Sequence, residues 1–285
     1  MQLQKAQRSK AKIKLGLQGP SGSGKTYSAL LVAYGLAGDY SKVAVIDTEN
    51  YSASLYANLG DFQVVNISSP FTPEKYKSAI DLCENAGMEV IIIDSITHEW
   101  ENLLDYQSSL QGNGFANWLK VNPRHNAFIQ SILKSPCHII STIRTKQDYV
   151  ISEKNGKMVP EKVGLKTIQR DGLEYEFTLV FDLDMKNNAS SSKDRTGLFS
   201  GKPEMKLTSE TGKQILEWCL AGTDCQERDI CKKIDECQTT DDLKNVFDAY
   251  PSFQKILLRE FQRRKEEILD ARKRELASVD TRVNL

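Results

Sequence analysis

Long hydrophobic runs are missing from this sequence, and its apolar residues are spread along the whole chain. A membrane-spanning helix needs about 20 consecutive apolar residues, and no segment approaches that length. The first 14 residues carry five lysines and arginines but lack the apolar stretch of a signal peptide. We therefore expect a cytoplasmic protein with no membrane partner.

Cysteines and histidines at metal-binding spacing are missing too. The six cysteines form no Cys-x-x-Cys pair, and His98, His125 and His138 show no ligand spacing. We expect thiols in a reducing compartment, no metal–thiolate site and structural roles for the histidines. The cysteines are Cys83, Cys137, Cys219, Cys225, Cys231 and Cys237.

An excess of one charge is also absent, because 38 basic residues balance 38 acidic ones over 285 residues. Overall charge therefore gives no indication of a nucleic-acid partner, although local patches remain. Composition shifts to charged helix formers beyond residue 222. We predict a basic N-terminal segment over 1–12, a core over 13–221 and a small helical region over 222–285. An amphipathic helix in the last region is marked by Phe253, Leu257, Phe261 and Ile268.

The core alternates short β-branched runs with helix-prone segments, which predicts an α/β fold with a mainly parallel sheet covered by helices on both faces. Strands are predicted at 13–18, 42–47, 62–66, 90–94, 137–142 and 175–184, with an edge strand at 204–207. Helices are predicted at 28–36, 52–59, 74–85, 127–133 and 209–220. The polar segments 144–172 and 185–202 show no clear period and predict loops, and a loop as long as the first is usually functional.

A glycine-rich turn joins the first predicted strand to the helix after it and matches the pattern G-x-x-x-x-G-K-[S/T]. Glycines let backbone N–H groups close around phosphate oxygens at the helix N-terminus. Lys25 would reach the β- and γ-phosphates, and Thr26 would offer its hydroxyl to Mg²⁺. The pattern predicts ATP and Mg²⁺ as ligands. The turn consists of Gly19, Pro20, Ser21, Gly22, Ser23, Gly24, Lys25 and Thr26.

Two acidic residues follow predicted strands at the same edge of the sheet. Asp94 ends the run 90–94, where a Walker B aspartate would bind the metal, although an aspartate there also caps helices. Glu49 comes just after the strand 42–47. Its position alone leaves open a residue that activates water and an exposed loop glutamate.

The stretches VIDTEN at 45–50, LYANLG at 55–60 and IDSI at 93–96 resemble the RecA/RadA recombinase core. A closer resemblance, to phage-encoded RecA-like nucleotide-binding proteins of the single-strand annealing type, extends through WLKVNPRH, HIISTIRTK and RDGLEYEF, which begin at 118, 138 and 170. The resemblance implies ATP hydrolysis with Glu49 as general base. A RecA-like core carries a glutamine sensor of the γ-phosphate after its fifth strand. Here Thr142, Arg144 and Lys146 stand there, and the sensor is left open.

The same resemblance implies an oligomer or filament with ATP held between protomers. The turn KDRTG at 193–197 is similar to a basic turn that reaches a neighbour's ATP, which implies a catalytic role in trans for Lys193 or Arg195. A solvated basic loop is the alternative. Leu3 and Ala6 weakly resemble an aromatic-x-x-Ala segment that docks on the next subunit in RadA-type filaments, against the alternative of a frayed tail.

A single-stranded DNA site is implied as well, because the segment 146–170 takes the position of a second DNA-binding loop. Cations suit a phosphate backbone, but Glu153 and Glu161 dilute the charge and leave a solvated loop as the alternative. The cations assigned to this site are Arg124, Arg144, Lys146, Lys162, Lys166 and Arg170.

Two functions remain open. The first is an ATPase of recombination or annealing type that acts on single-stranded DNA, with a single-strand-binding protein as a further partner. The second is a P-loop enzyme that does not act on DNA, such as a small-molecule kinase or an assembly and packaging ATPase. A resemblance in fold does not by itself establish a function, so an assay is needed to separate the two.

Overall fold

The computed structural model describes residues 10–154, 157–222 and 225–283, with side chains except at 147–165, 225–228, 252 and 272–283. The chain divides into two compact units. One comprises Lys12–Cys219, and the other includes Leu220–Leu285.

The larger unit is built on one sheet. Its strands are β1 (Lys14–Gly19), β2 (Val43–Asp47), β3 (Gln63–Asn66), β4 (Val90–Asp94), β5 (His138–Lys154), β6 (Lys157–Thr167), β7 (Leu179–Leu183) and β8 (Ala189–Asp194). They lie in the order β3-β2-β4-β5-β1-β7-β8, and the first six of these run parallel. β8 is antiparallel to β7, and β6 pairs antiparallel with β5.

Helices cover both faces of this sheet, as the sequence predicts. They are α1 (Lys25–Ala37), α2 (Pro73–Asn85), α3 (Thr97–Ser109), α4 (Gly114–Lys134) and α5 (Ser209–Leu220). Successive residues of β4 point to opposite faces: Ile92 joins the core under α1 and α5, whereas Ile91 and Ile93 join the core under α2 and α4. Because both faces are buried, a parallel strand here is apolar throughout. The α/β fold class is confirmed.

A close crossing of α1 and α5 depends on two glycines. A Cβ atom on Gly35 would lie 2.0 Å from the carbonyl oxygen of Ser209, and one on Gly212 would lie 2.2 Å from that of Val32. Neither position accepts a side chain unless the helices move apart. The pair sets the distance between the helix that begins at the glycine-rich turn and its neighbour.

The prediction of a loop over 144–172 is wrong for most of its length. β5 continues past the sheet to Lys154 and pairs with β6 in a long antiparallel hairpin. The strands were not recognised because polar and apolar residues do not alternate regularly there. The Asn-Gly pair at 155–156 was the available signal, since it is typical of a two-residue hairpin turn.

Other element predictions were incomplete. α3 was missed. The first half of α4 was missed as well, because Pro123 interrupts the helical pattern although the helix continues through it. β8 lies inside the predicted loop 185–202, and the predicted edge strand 204–207 is a single bridge between Ala189 and Met205. The segment Ser52–Leu59 is a 3₁₀ helix.

The second unit contains α6 (Cys225–Glu236), α7 (Thr240–Ala249) and α8 (Leu258–Val283). Its small core includes Ile230, Ile234, Leu243, Leu257 and Phe261. The four residues of the predicted amphipathic helix all join this core or pack against it, but they do not form one helix. Phe253 ends a short 3₁₀ turn, Leu257 precedes α8, and only Phe261 and Ile268 lie within α8. Every helix in the described ranges is too short or too polar to cross a lipid bilayer.

Candidate nucleotide-binding and hydrolytic site

The glycine-rich turn connects β1 to α1 and needs glycine at particular positions. Gly22 and Gly24 have φ angles of 83° and 78°, in the left-handed region that side chains disfavour. A Cβ atom on Gly24 would also lie 2.6 Å from Nδ2 of Asn187, and one on Gly19 would lie 2.6 Å from the carbonyl oxygen of Leu183. The turn is therefore a tight backbone cradle at the start of a helix, which is the geometry that binds phosphate.

Lys25 lies across this cradle. Its Nζ atom donates to the carbonyl oxygens of Gly19 at 2.9 Å and Pro20 at 2.8 Å. Burial lowers the pKa of Lys25, while the nearby Asp94 raises it. Ser23 Oγ is buried and has no hydrogen-bond partner among the described residues. A lysine held by carbonyls and an unpaired buried hydroxyl both fit a polyphosphate as the ligand of this turn.

The metal position predicted from the sequence is assembled from two strands and a helix. Thr26 Oγ1 donates to Oδ2 of Asp94 at 2.6 Å, and Thr142 Oγ1 donates to the other carboxylate oxygen. Asp94 is only 2% exposed, and burial raises its pKa while the two hydroxyl donors lower it. Among the described residues, no group of three or more His, Cys, Asp or Glu side chains is arranged to hold a metal ion by itself. A hydroxyl and one carboxylate suit Mg²⁺, which usually takes its other ligands from phosphates and water.

The turn after β2 brings Glu49 to the same edge. Asp47 lies opposite Asp94 in the sheet, and its carboxylate accepts from the backbone N–H groups of Glu49 at 2.6 Å and Ala53 at 2.9 Å. Asn50 adopts a left-handed φ of 54° as the chain reverses. The buried Asp47 thus fixes the backbone that carries Glu49.

The Glu49 carboxylate pairs with Arg144. Nε of Arg144 donates to Oε1 at 2.8 Å, and Nη2 donates to Oε2. His98 approaches the same carboxylate, with Nε2 at 3.9 Å from Oε1. The sequence assigns Arg144 to the DNA-binding set, but the structure places its side chain at the nucleotide edge, against the predicted base.

Several residues of this edge were not assigned a role from the sequence. Thr48 accepts from the backbone N–H of Ser95 at 2.9 Å and lies 2.8 Å from Nδ1 of His98, which stacks on Phe71. Thr142, which the sequence left among three sensor positions, binds Asp94. A strand-end position beside Asp94 was the signal for Thr142. No local signal indicates His98, because its partner Thr48 is 50 positions away.

Lys193 and Arg195 lie at the other end of the sheet from the glycine-rich turn. Lys193 of β8 pairs with Val180 of β7, and Val180 lies beside Gly16, the third residue of β1. Gly16 comes three residues before Gly19, which corresponds to about 10 Å along β1, and β8 is two strands away from β1. Lys193 Nζ donates to the Glu174 carbonyl at 2.8 Å, and Arg195 donates to the Tyr175 carbonyl at 3.1 Å. These cations are therefore remote from the phosphate cradle of their own chain.

The cations assigned to DNA differ in their surroundings. Arg124 forms two hydrogen bonds of 2.7 Å with Glu74, Lys166 lies 3.3 Å from Asp171, and Arg170 donates to Asn126 at 3.0 Å. Lys146 is exposed on β5. The Lys162 side chain and the segment with Leu3 and Ala6 lie outside the described parts of the chain.

Comparison with known proteins agrees with this geometry. A family model described as an AAA domain matches residues 11–214, from the start of β1 into α5. A search of curated protein sequences finds no match to the chain. The matched region contains the phosphate cradle, the Thr26–Asp94 pair and Glu49. The chain therefore belongs to the AAA domain family, and residues 11–214 form a P-loop nucleotide-binding domain of the ATPase type.

Proposed function

We propose that the chain is a RecA-like ATPase that hydrolyses MgATP with Glu49 as general base. The observation that carries the proposal is the convergence of Lys25, the Thr26–Asp94 pair and Glu49 at one edge of the sheet. These residues come from the start of α1, the turn after β2 and the end of β4, and each is held by contacts with its neighbours. This is the set of groups that phosphoryl transfer to water requires.

In this proposal each residue has a separate task. The cradle and Lys25 bind the phosphates. Thr26 and Asp94 would hold Mg²⁺, which would supply positive charge to the phosphate oxygens. Glu49 orients a water molecule and accepts its proton as the oxygen attacks the γ-phosphorus. The bond to the β–γ bridging oxygen breaks, and ADP and inorganic phosphate are released.

We infer that the partner is single-stranded DNA, in a recombination or annealing reaction. The hairpin of β5 and β6 supports this, because it continues directly from the strand segment beside the nucleotide edge and bears Lys146 and Lys166. Lys162 lies on the same hairpin, and Arg170 follows it. Cations on an extended hairpin suit the backbone of a single strand. A single-strand-binding protein remains a proposed further partner.

Assembly into a head-to-tail oligomer or filament is part of the same proposal. Lys193 and Arg195 are too far from their own phosphate cradle to act there, since they lie at the opposite sheet end. In a head-to-tail arrangement that end of one protomer faces the nucleotide edge of the next. Either cation would then stabilise the transition state in trans, as an arginine finger does.

ATP turnover measured with and without single-stranded DNA tests the proposal. We expect clear stimulation by a long single strand and much less by duplex DNA or heparin at equal phosphate concentration. Lys25→Ala serves as the matched background control, since it should remove turnover under every condition. Turnover that ignores DNA would instead favour a P-loop enzyme that acts on another substrate, such as a small-molecule kinase or a packaging ATPase.

A further inference from the structure

The turn between β7 and β8 lies against the phosphate cradle. β7 runs parallel to β1, with Asp182 beside Gln18, so the two strands end at the same edge of the sheet. The chain then reverses over residues 184–188 and returns as β8, where Ala189 pairs with Leu183. The turn that follows β7 is therefore brought to the turn that follows β1.

Two glycines of the cradle face side chains of this turn. A Cβ atom on Gly22 would lie 3.8 Å from Cε of Met185. One on Gly24 would lie only 2.6 Å from Nδ2 of Asn187 and 3.2 Å from its Cγ atom. The side-chain amide of Asn187 therefore contacts the backbone of the cradle at the residue before Lys25.

Asp184 holds the turn in one conformation. Its Oδ1 atom accepts from the backbone N–H groups of Lys186 at 2.8 Å and Asn188 at 2.7 Å. Its carbonyl oxygen accepts from the N–H of Asn187 at 3.0 Å, and Asn187 adopts a left-handed φ of 61°. Lys206 Nζ donates to the carbonyl oxygen of Lys186. These bonds fix the backbone and so the direction in which the Asn187 side chain projects.

The amide of Asn187 has donors that the protein does not use. Its nitrogen carries two hydrogens and donates to no residue in the described part of the chain, and the side chain is exposed. Phosphate oxygens are strong acceptors, because a hydrogen bond to a charged group is stronger than one between neutral groups. The ammonium group of Lys206 adds positive charge on the same turn. This surface therefore suits an anion in the cradle.

We propose that the turn 184–188 is a wall of the nucleotide site and that the Asn187 amide donates to a phosphate oxygen of the bound nucleotide. The inference rests on the proposed function, since it requires a nucleotide in the cradle, and it adds a binding residue from a distant part of the chain. The contact at Gly24 assigns the amide to the diphosphate group, around which the cradle closes.

ADP binding to Asn187→Gly and Asn187→Asp, measured by calorimetry on the full chain with Mg²⁺, tests the contact without turnover. Glycine and aspartate both accept a left-handed backbone, so the turn keeps its conformation. Glycine removes the amide, whereas aspartate keeps its size and replaces the donor by a negative charge. Asn85→Asp is the matched control, because Asn85 is exposed at the end of α2, which leads to the start of β4 at the opposite edge of the sheet.

The phosphate contact predicts graded losses. Asn187→Gly should weaken ADP binding by about tenfold, the usual contribution of one hydrogen bond to a charged group. Asn187→Asp should weaken it further, and the additional loss should shrink as salt is raised, because salt screens the added charge. Asn85→Asp should bind as the wild type does. The loss in Asn187→Gly should be the same for 2′-deoxy-ADP and inosine diphosphate, which differ from ADP in the ribose or the base.

Three results would overturn the inference. The first is wild-type ADP affinity in Asn187→Gly, which would leave the amide as a packing contact. The second is a smaller loss with 2′-deoxy-ADP or inosine diphosphate, which would make the ribose or the base its partner. The third is a lower midpoint of urea denaturation without nucleotide in both variants, which would give Asn187 a structural role. Failure of the wild type to bind ADP would instead overturn the proposed function, so the two failures are distinguishable.

Discussion

Thr142→Val is the most informative single substitution at the metal position. It removes one of two hydroxyl donors to Asp94 and nearly preserves the shape of the side chain. Asp94 is 2% exposed, so water does not replace the missing donor. A hydrogen bond to a charged group contributes about 1.5 to 3 kcal/mol. We expect the free energy of unfolding at pH 7 to fall by about that amount.

The pH dependence gives the loss a second signature. Burial raises the pKa of Asp94, and the Thr142 hydroxyl opposes this rise, so the substitution raises the pKa further. A carboxyl group whose pKa is higher in the folded state contributes its full stabilisation below its unfolded pKa of about 3.9. This contribution is lost as the pH rises through the pKa of the folded state. The deficit of the variant should therefore be larger at pH 7 than near pH 4, where Asp94 is protonated in both proteins. As the pH is lowered, MgATP affinity should begin to decline at a higher pH in the variant than in the wild type, because Mg²⁺ binds the charged carboxylate.

Urea denaturation at both pH values measures the effect, with Ser141→Ala as the control. Ser141 precedes Thr142 in β5 and is fully buried, but its hydroxyl has no hydrogen-bond partner among the described residues. Removing it should cost much less. Equal losses in the two variants, or a Thr142→Val deficit that is the same at both pH values, would refute the role given to the hydrogen bond between Thr142 and Asp94.

Three other variants test the remaining parts of the site. Lys25→Ala should abolish measurable ATP binding in calorimetry, because the phosphate charge is left uncompensated. Glu49→Gln should keep MgATP affinity at or above that of the wild type and lower turnover by about 10²- to 10⁴-fold, and near-normal turnover would remove the residue from its role. Neutralising Lys162, Lys166 and Arg170 together should flatten the salt dependence of single-stranded DNA binding by about 0.7 in log–log slope for each DNA phosphate that is no longer neutralised, whereas an unchanged slope would place the DNA site elsewhere.

Local patterns predicted the central strands and the nucleotide turn but failed beyond them. β4 is recognisable because four consecutive apolar residues, followed by Asp94, indicate a strand that is buried on both faces of a parallel sheet. The hairpin of β5 and β6 was not recognised, since polar and apolar residues do not alternate regularly along its two strands. Pro123 had a similar effect in α4, where only the second half of a helix of 21 residues was predicted.

The sequence by itself determined the chemistry of those functional groups that lie within a few consecutive residues. The turn Gly19–Thr26 is contiguous, so its glycines, lysine and threonine specify a phosphate cradle without reference to the rest of the chain. The tertiary structure decided which distant residues meet there. Thr142 reaches Asp94 across 48 positions and Arg144 reaches Glu49 across 95, because neighbouring parallel strands end at one edge of the sheet. That adjacency depends on strand order, which no local pattern encodes.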